Sequence, residues 1–562
     1  MSAVLAESDC HIAWLEPLFD VAFDAPDGIA RLRQLVLTLA MQGKLVPQDP
    51  KDTSISELLN QITEEKSERG KAGRIRSPRI LVPVSEAEKL HEIPTNWKWV
   101  RLGEFAEYNG RENIEPEKIK KNAWVLDLED IEKETSKLLY RATYSERESK
   151  STKSTFKAGD VLYGKLRPYL DKVIVADSDG VCTTEIVPIV PSKAVIPEFL
   201  RWLLKRPAFL AHVNNLMYGV KMPRLGTDDA INSAHPLPPL EEQKRIVARI
   251  EELMSHCDEL DRLRQRQAEK RAATRAATVR QWLAGDDAAA ALLRKNFSTL
   301  VSTREDVAEL RKAILQLAVM GKLVLQDPTE TPASVFLKQV EAEKARREKE
   351  EGLRTSAEPS VGADEQYCGT PDGWSYGRLG NLAKFIDYRG RTPKKVGAGI
   401  PLITAKNVRF GYISREPREY VSNSEYNEWM TRGFPRVGDM LFTTEAPLGN
   451  VAIIDIPEKF ALAQRVICFQ FHAPAMAEFL KIVMMSEILQ SRLLTDATGM
   501  TATGIKASKL KEIPVPIPPL NEQKRIVARV DALMRLCDML EQSIDVAQAK
   551  QAELLCAVMA RV

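Results

Sequence analysis

Aromatic residues make up only 6% of this 562-residue chain, and its cysteines and histidines are few and dispersed. The seven cysteines form no CxxC pair and no Cys/His set at zinc-ligand spacing, so free thiols in a reducing compartment are expected. His11, His91, His212, His235, His256 and His472 stand apart from one another, which leaves no metal set and no catalytic triad among them. No apolar run approaches the roughly 18 residues that span a bilayer. Met1 to Asp20 mixes apolar residues with Glu7, Asp9, His11 and Glu16, unlike the basic start and apolar core of a signal peptide. A cytoplasmic chain without membrane association is therefore expected. Nucleotide loops are missing as well. Gly43-Lys44 and Gly321-Lys322 are each followed by Leu, where a phosphate loop needs Ser or Thr. There is no GxGxxG opening a helix and no Asn/Asp-Pro-Pro-Tyr/Phe tetrapeptide of the amino-methyltransferase kind. The acidic run Asp127 to Asp130 reads as a solvated face and not as a nuclease centre. Charge of one sign is also lacking: 80 Lys and Arg against 78 Asp and Glu leave a net +2, so any nucleic-acid face is a local patch. These absences point to a binding protein.

What the chain does contain is a duplication. Leu32 to Pro50 reads LRQLVLTLAMQGKLVPQDP, and Leu310 to Pro328 reads LRKAILQLAVMGKLVLQDP. Pro238 to Leu260 reads PPLEEQKRIVARIEELMSHCDEL, and Pro518 to Leu540 reads PPLNEQKRIVARVDALMRLCDML. Between these lie shared landmarks. Trp97 and Arg101-Leu102-Gly103 match Trp374 and Arg378-Leu379-Gly380, and Gly159-Asp160 matches Gly438-Asp439. The frame segments are nearly the same in both halves, while the stretches between them share little else. Two modules holding one architectural position and contacting different things would leave that pattern. Met1 to Asp27 has no match in the second half.

Helical spacing covers Ile29 to Gln42, with Gly43 placed to terminate it. Ser54 to Ile62 predicts a further short helix, and the charge-rich stretches Glu64 to Arg79 and Glu341 to Arg354 read as solvated linkers or frayed helix. Short strands are predicted at Val161 to Tyr163, Lys172 to Ala176 and Glu185 to Val190, and again at Met440 to Thr443, Asn450 to Ile454 and Arg465 to Gln470. Pro197 to Lys205, Ala475 to Leu489 and Leu300 to Met320 read as helices. After Pro238-Pro239 and Pro518-Pro519, apolar residues recur at spacings of four and three. They are Ile246, Ile250, Leu253, Cys257 and Leu260, then Ile526, Val530, Leu533, Cys537, Leu540, Ile544 and Ala547, a coiled-coil seam. No Gly or Pro interrupts Glu241 to Ala284, which predicts a helix of about 40 residues, or roughly 60 Å.

The fold class expected is therefore α+β, with two modules separated by long antiparallel coiled-coil helices in an internally duplicated chain. The segments are an N-terminal extension (1–28), a proximal helical frame and linker (29–93), a first module (94–236), a central frame with long helix, return helix and linker (237–370), a second module (371–516) and a distal helix (517–562).

Each module has a basic loop surface mixed with Tyr, Thr and Gly. The candidates in the first are Tyr163, Lys165, Arg167, Tyr169, Lys172, Lys221 and Arg224, near the Gly219 turn. In the second they are Arg389, Arg391, Lys394, Lys395, Lys406, Thr443, Thr503, Lys506 and Lys509, with Arg409 and Thr501 close by. Lys and Arg neutralise phosphates, while hydroxyls and backbone amides fix register. Modules held apart by stiff helices suit double-stranded DNA with two separated half-sites.

The GKLVPQDP and GKLVLQDP segments, the paired Trp…RLG landmarks, the GDVLYGKLRPYL stretch and the twin PPLxEQKRIVAR helices resemble the specificity subunits of Type I restriction-modification enzymes. The resemblance runs from about Ile29 to the end. It implies that each module is a target-recognition domain, together reading a bipartite, asymmetric site with an unread gap. It implies partnership with two modification (methyltransferase) subunits that bind S-adenosylmethionine, and with restriction subunits that use ATP and Mg. This chain itself would hold no cofactor and would not be a catalyst. Glu242, Lys244, Arg245 and Arg249, with Glu522, Lys524, Arg525 and Arg529, are candidate docking residues for those partners. Two other readings are a coiled-coil scaffold with protein-binding globules and the reader part of a fused restriction-methylation enzyme. The second module departs from the KLRPY run, with Thr443-Thr444-Glu445-Ala446-Pro447 in its place.

Overall fold

The computed structural model describes residues 22–71, 81–216, 221–352, 357–388, 392–497 and 504–560. The chain divides into two units, Met1–Gln267 with Ala547–Val562, and Ala268–Val546. The helix Leu240–Leu283 gives its residues through Gln267 to the first unit, and Leu520–Ala560 gives its residues through Val546 to the second.

Within each unit the frame is the same set of contacts made twice. The helix Gly28–Met41 buries Ile29, Leu32, Leu35, Val36, Ala40 and Met41 on one stripe. It ends in a Schellman motif, Gly43 N–H to Ala40 O at 3.2 Å and Lys44 N–H to Leu39 O at 2.9 Å, with Gly43 at φ +70°. The copy, Arg304–Val319, ends with Gly321 N–H to Ala318 O at 3.3 Å, Lys322 N–H to Leu317 O at 2.9 Å, and Gly321 at φ +67°. Arg33 reaches the long helix at Asp258 (2.7 Å) and Asp261 (3.0 Å), and Arg311 reaches Asp538 (2.7 Å) and Glu541 (3.0 Å). The RLG landmark is explained by Arg101, which donates to Val82 O (2.9 Å), Asn232 O and the Glu88 carboxylate (both 2.6 Å). Arg378 does the same with Pro359 O (2.7 Å), Glu512 O and Glu365 (both 2.6 Å). In each case one guanidinium ties the linker before a module to its last turn. The Gly-Asp landmarks are turns. Asp160 and Asp439 accept from the amides of Lys157 and Arg436 at 2.8 Å, behind glycines at φ +85° and +91°.

Each module starts and finishes on one antiparallel strand pair, Lys98–Arg101 with Ala234–Leu237, and Ser375–Arg378 with Pro514–Ile517. A four-stranded sheet follows, in the order Ala106–Tyr108, Ile186–Pro191, Val161–Gly164, Val173–Val175. Its counterpart is Ala383–Asp387, Val466–Phe471, Met440–Thr443, Val451–Ile453. A second sheet in each module contains one parallel pair, Trp124–Leu126 beside Gly180–Cys182, and Ile400–Ile403 beside Ala461–Leu462.

Several expectations are corrected. The four-and-three repeat does not form a zipper throughout. Ile246, Ile250 and Leu253 lie in the core of the first module, and Cys257 packs with Ala22, Phe23, Leu32, Leu555 and Val558. Ile526, Val530 and Cys537 lie in the equivalent core of the second unit. Leu260, at 42%, and Ala547 are exposed, because the repeat outlasts the globule that covers it. The charged runs begin as helix: Ile55–Lys71 and Ala333–Glu350 extend into them, the latter with Arg346 paired to Glu343 and Glu350 on its wet face, and residues 353–356 lie outside the described part. Residues 72–80 lie outside the described part. Ala475 to Leu489 is two helices, Ala477–Met485 and Glu487–Asp496, broken where extended Ser486 caps the second through Leu489 N. Leu300 to Met320 is likewise interrupted, because Thr303 and Asp306 form a capping box that restarts the helix at Arg304.

The first module buries an Arg–His pair that the second lacks. Arg206 donates to His235 Nδ1 at 2.6 Å and to Ala234 O at 2.8 Å, so His235 carries its proton on Nε2, 2.7 Å from Ser233 Oγ. Burial first, and then the Arg206 charge, hold His235 well below its ordinary value. The folded chain thus keeps His235 neutral while the unfolded chain protonates it near pH 6.5. Stability is lost as pH falls below that point, by about 1.4 kcal/mol per pH unit. Ser486 and Val515 occupy the corresponding places in the second module. The Arg206→Ser/His235→Val chain is expected to lose this component of the acid sensitivity. Urea unfolding at pH 7.5 and 5.5 checks it, and an unchanged pH dependence would count against a buried neutral His235.

Candidate nucleic-acid interface

The loop between the third and fourth strands of the first sheet is built alike in both modules. Gly164 N–H bonds Lys172 O, and Thr443 N–H bonds Asn450 O, each at 2.9 Å. Arg167 (φ +51°) and Ala446 (φ +46°) each take the left-handed conformation just before a proline. A segment near the module's end pairs with each loop. Leu225 N–H meets Lys165 O at 3.0 Å, and Ile505 N–H meets Thr444 O at 3.1 Å. A second loop lies alongside, closed by the bridges Ile131–Leu138 and Val408–Ile413. Glu134 N–H to Leu170 O at 3.0 Å joins the two in the first module, and Asn450 Nδ2 to Val408 O at 3.0 Å joins them in the second.

The side chains on this shared scaffold differ. Arg224 grips Glu185 through two N–H groups at 3.0–3.1 Å. In the second module Arg465 stands where Glu185 does and pairs at 2.7 Å with Glu445, at the place of Leu166, while Gly504 replaces Arg224. The adjoining loop presents exposed Glu129, Lys133, Glu134 and Lys137 in the first module, but only the cations Lys406 and Arg409 in the second. Phe410 and Tyr412 project there, 46% and 62% exposed. Exposed cations neutralise phosphates, and exposed rings offer surfaces for stacking or wedging between bases.

Of the residues named from sequence, Arg167, Tyr169, Lys221, Arg224, Lys394, Lys395, Lys406, Lys506 and Lys509 are exposed. Lys395 is paired with Glu419 at 2.7 Å and Lys509 with Glu512 at 2.9 Å. Lys165 is half-buried, and Lys172 turns inward to donate to Leu128 O at 2.7 Å. Tyr163 and Thr443 are corrected: both are buried strand residues, with Tyr163 against Phe209, and neither side chain reaches the surface. Arg389, Arg391, Thr501, Thr503 and Gly219 lie outside the described residues. Sequence reading missed Phe410 and Tyr412, whose signal was two aromatics around a glycine in an otherwise basic turn.

The docking candidates are corrected more sharply. Glu242 is fully buried and accepts from Trp97 Nε1 at 2.9 Å and Gln48 Nε2 at 2.6 Å. Glu522 is buried too, accepting from Trp374 Nε1 at 3.1 Å. Arg245 clasps Asp52 at 2.6 and 2.9 Å, and Arg525 pairs with Glu330. These are internal ties, since the first turns of each long helix are wedged between the module and the GKLV segment. Arg249 is half-buried and pairs with Glu252 on its own helix at 2.6 Å, whereas Lys244, Lys524 and Arg529 are exposed.

Comparison with known proteins agrees with this duplicated plan. The model of the Type I restriction modification DNA specificity domain matches residues 94–270 and again residues 371–548. The specificity subunits of the Type I restriction enzymes EcoAI and EcoEI of Escherichia coli are each 30% identical to this chain over 94% of its length and 92% of theirs. A solved structure from work on complex assembly and conformational transition of the type I R-M system has a similar fold. Its TM-score is 0.52 at 22% identity, over 84% of this chain and 98% of that one.

Proposed function

The chain belongs to the Type I restriction-modification specificity family, as a DNA-recognition subunit with two target-recognition domains, and we propose that each domain reads one half of a bipartite, asymmetric DNA site. The observation that carries this reading is the contrast between the modules. One scaffold presents Arg167 and Tyr169 beside a loop of mixed charge in the first module, and Lys406, Arg409, Phe410 and Tyr412 in the second. Two different surfaces at equivalent places imply two different half-sites. Phosphate contacts by the exposed cations would set register, and base-edge contacts would supply the sequence.

The subunit acts without chemistry of its own. Two modification subunits would bind S-adenosylmethionine and methylate an adenine in each half-site after flipping it from the stack. Restriction subunits would supply ATP- and Mg-dependent translocation and cleavage. No helix among the described residues is long and apolar enough to cross a membrane, and the assembly would work on DNA in the cytoplasm. Modified-base sequencing of host DNA, with the gene intact and with it deleted in frame, tests the proposal. A split, asymmetric motif methylated on adenine should vanish on deletion. Survival of every methylated motif would refute it.

A further inference from the structure

Lys205 ends the helix Pro197–Lys205 with its side chain only 4% exposed. Four oxygens surround its Nζ: Glu134 O and Ser136 Oγ at 2.8 Å, Asp171 O at 3.0 Å and Asp171 Oδ2 at 2.6 Å. An ammonium has three protons, so one is shared among them. Those oxygens come from the two loops of the first module's candidate surface. Ser136 Oγ tightens the junction further, donating to Asp171 O at 2.8 Å and accepting from Val173 N–H at 3.1 Å. Glu134, Ser136, Arg167 and Asp171 are all non-glycine residues at φ between +50° and +64°. That conformation is unfavourable for any side chain and persists only where the surroundings impose it. Here the buried ammonium braces Glu134, Ser136 and Asp171 in it, on the loops that carry and adjoin Arg167 and Tyr169, whereas the left-handed backbone of Arg167 itself is shared with Ala446 of the second module.

The second module shows that the fold does not need this device. Met485 stands at the position of Lys205 and lies against Gly411 of the adjoining loop. Gly449 (φ +87°) stands at the position of Asp171, and its carbonyl accepts from Gln490 Nε2 at 2.9 Å. A neutral arrangement thus closes the same loop, one residue shorter. A buried ion pair adds little stability compared with apolar packing, but it holds a single geometry.

We propose that Lys205 and Asp171 are positioning residues for DNA specificity in the first module, holding Arg167 and Tyr169 in the one loop geometry that reads its half-site. The inference rests on the function proposed above. Its test is the Lys205→Met/Asp171→Gly chain, which installs the second module's own residues, expressed with the complete system in place of the natural copy. The purified variant should melt close to the wild type, while the methylated motif changes in one half only. At least one base position there should lose discrimination by roughly ten- to hundred-fold. The Lys205→Arg chain, which keeps a charge for Asp171 but cannot focus on four oxygens, should relax the same half. It serves as the readout if the double variant does not fold. A folded variant that leaves both halves unchanged, or degrades both together, overturns the proposal. A wild-type system that yields no split motif overturns the functional reading, and this inference with it.

Discussion

Alanine in place of Gly43 is expected to destabilise the protein by about 2–5 kcal/mol, the joint cost of a left-handed non-glycine residue and of forced overlap in a packed site. At φ +70°, a Cβ on Gly43 would sit 2.4 Å from Pro94 Cγ, 2.7 Å from Pro94 Cδ and 3.3 Å from the Trp97 ring. The glycine is therefore needed twice over: for the Schellman turn that ends the frame helix, and for the approach of the first residues of the module to that turn. Gly321 repeats the arrangement, with Pro371 at 2.4 Å and Trp374 at 3.0 Å, so Gly321→Ala should act alike on the second unit. Calorimetry of the full chain should show each substitution lowering a melting transition by several degrees, at roughly 2–4 °C per kcal/mol for units of this size. Adding Pro94→Ala to Gly43→Ala should recover the steric part of the loss and leave the backbone part. A Gly43→Ala chain that melts with the wild type would mean that the turn is not held against Pro94.

The second large effect is expected at Glu242. Its carboxylate is buried, and burial raises its pKa against the opposing pull of the Trp97 and Gln48 hydrogen bonds. Removing it in Glu242→Ala leaves the buried donor Trp97 Nε1 without an acceptor, takes one partner from Gln48 Nε2 and Asn96 Nδ2, and opens a cavity. The expected cost is about 2–4 kcal/mol. Glu522→Ala should do the same around Trp374. By contrast, Lys244→Ala, on the solvent side of the same helix turn, should stay within about 0.5 kcal/mol of the wild type. Urea unfolding midpoints decide the matter. If Glu242→Ala unfolds with the wild type yet fails to assemble with partner subunits, then the residue is a docking group and the internal tie is unimportant.

These two sites show how much of the molecule could be read from its residues. The repeats GKLV…QDP, Gly-Asp and PPLxEQKRIVAR each mark a feature that local chemistry dictates: a helix end, a turn, and a helix start after paired prolines. Helical periodicity and β runs in the modules were legible for the same reason, since 3.6- and 2-residue repeats are properties of short segments. What short segments cannot disclose is which neighbour a polar side chain meets. Glu242 and Arg245 lie on a helix in a charged sequence and read as a solvated docking face. The fold instead brings Gln48, Asp52 and Trp97 across about 150–190 residues of chain to cover them. Tyr163 is followed by a basic run and Thr443 by a polar one, yet both lie on inner strands of their sheets whose two faces are covered.

The sequence by itself determined the duplication, the α+β modules, the long helices and the family, because these rest on patterns repeated along the chain. Only the tertiary structure decided which of the repeated residues are internal ties and which face solvent. It also brought Lys205 under two loops distant from it in sequence, and set Arg465 of the second module at the place that Glu185 holds in the first. The physical reason is that burial and pairing depend on contacts between segments far apart in the chain, and those contacts exist only once the segments have folded together.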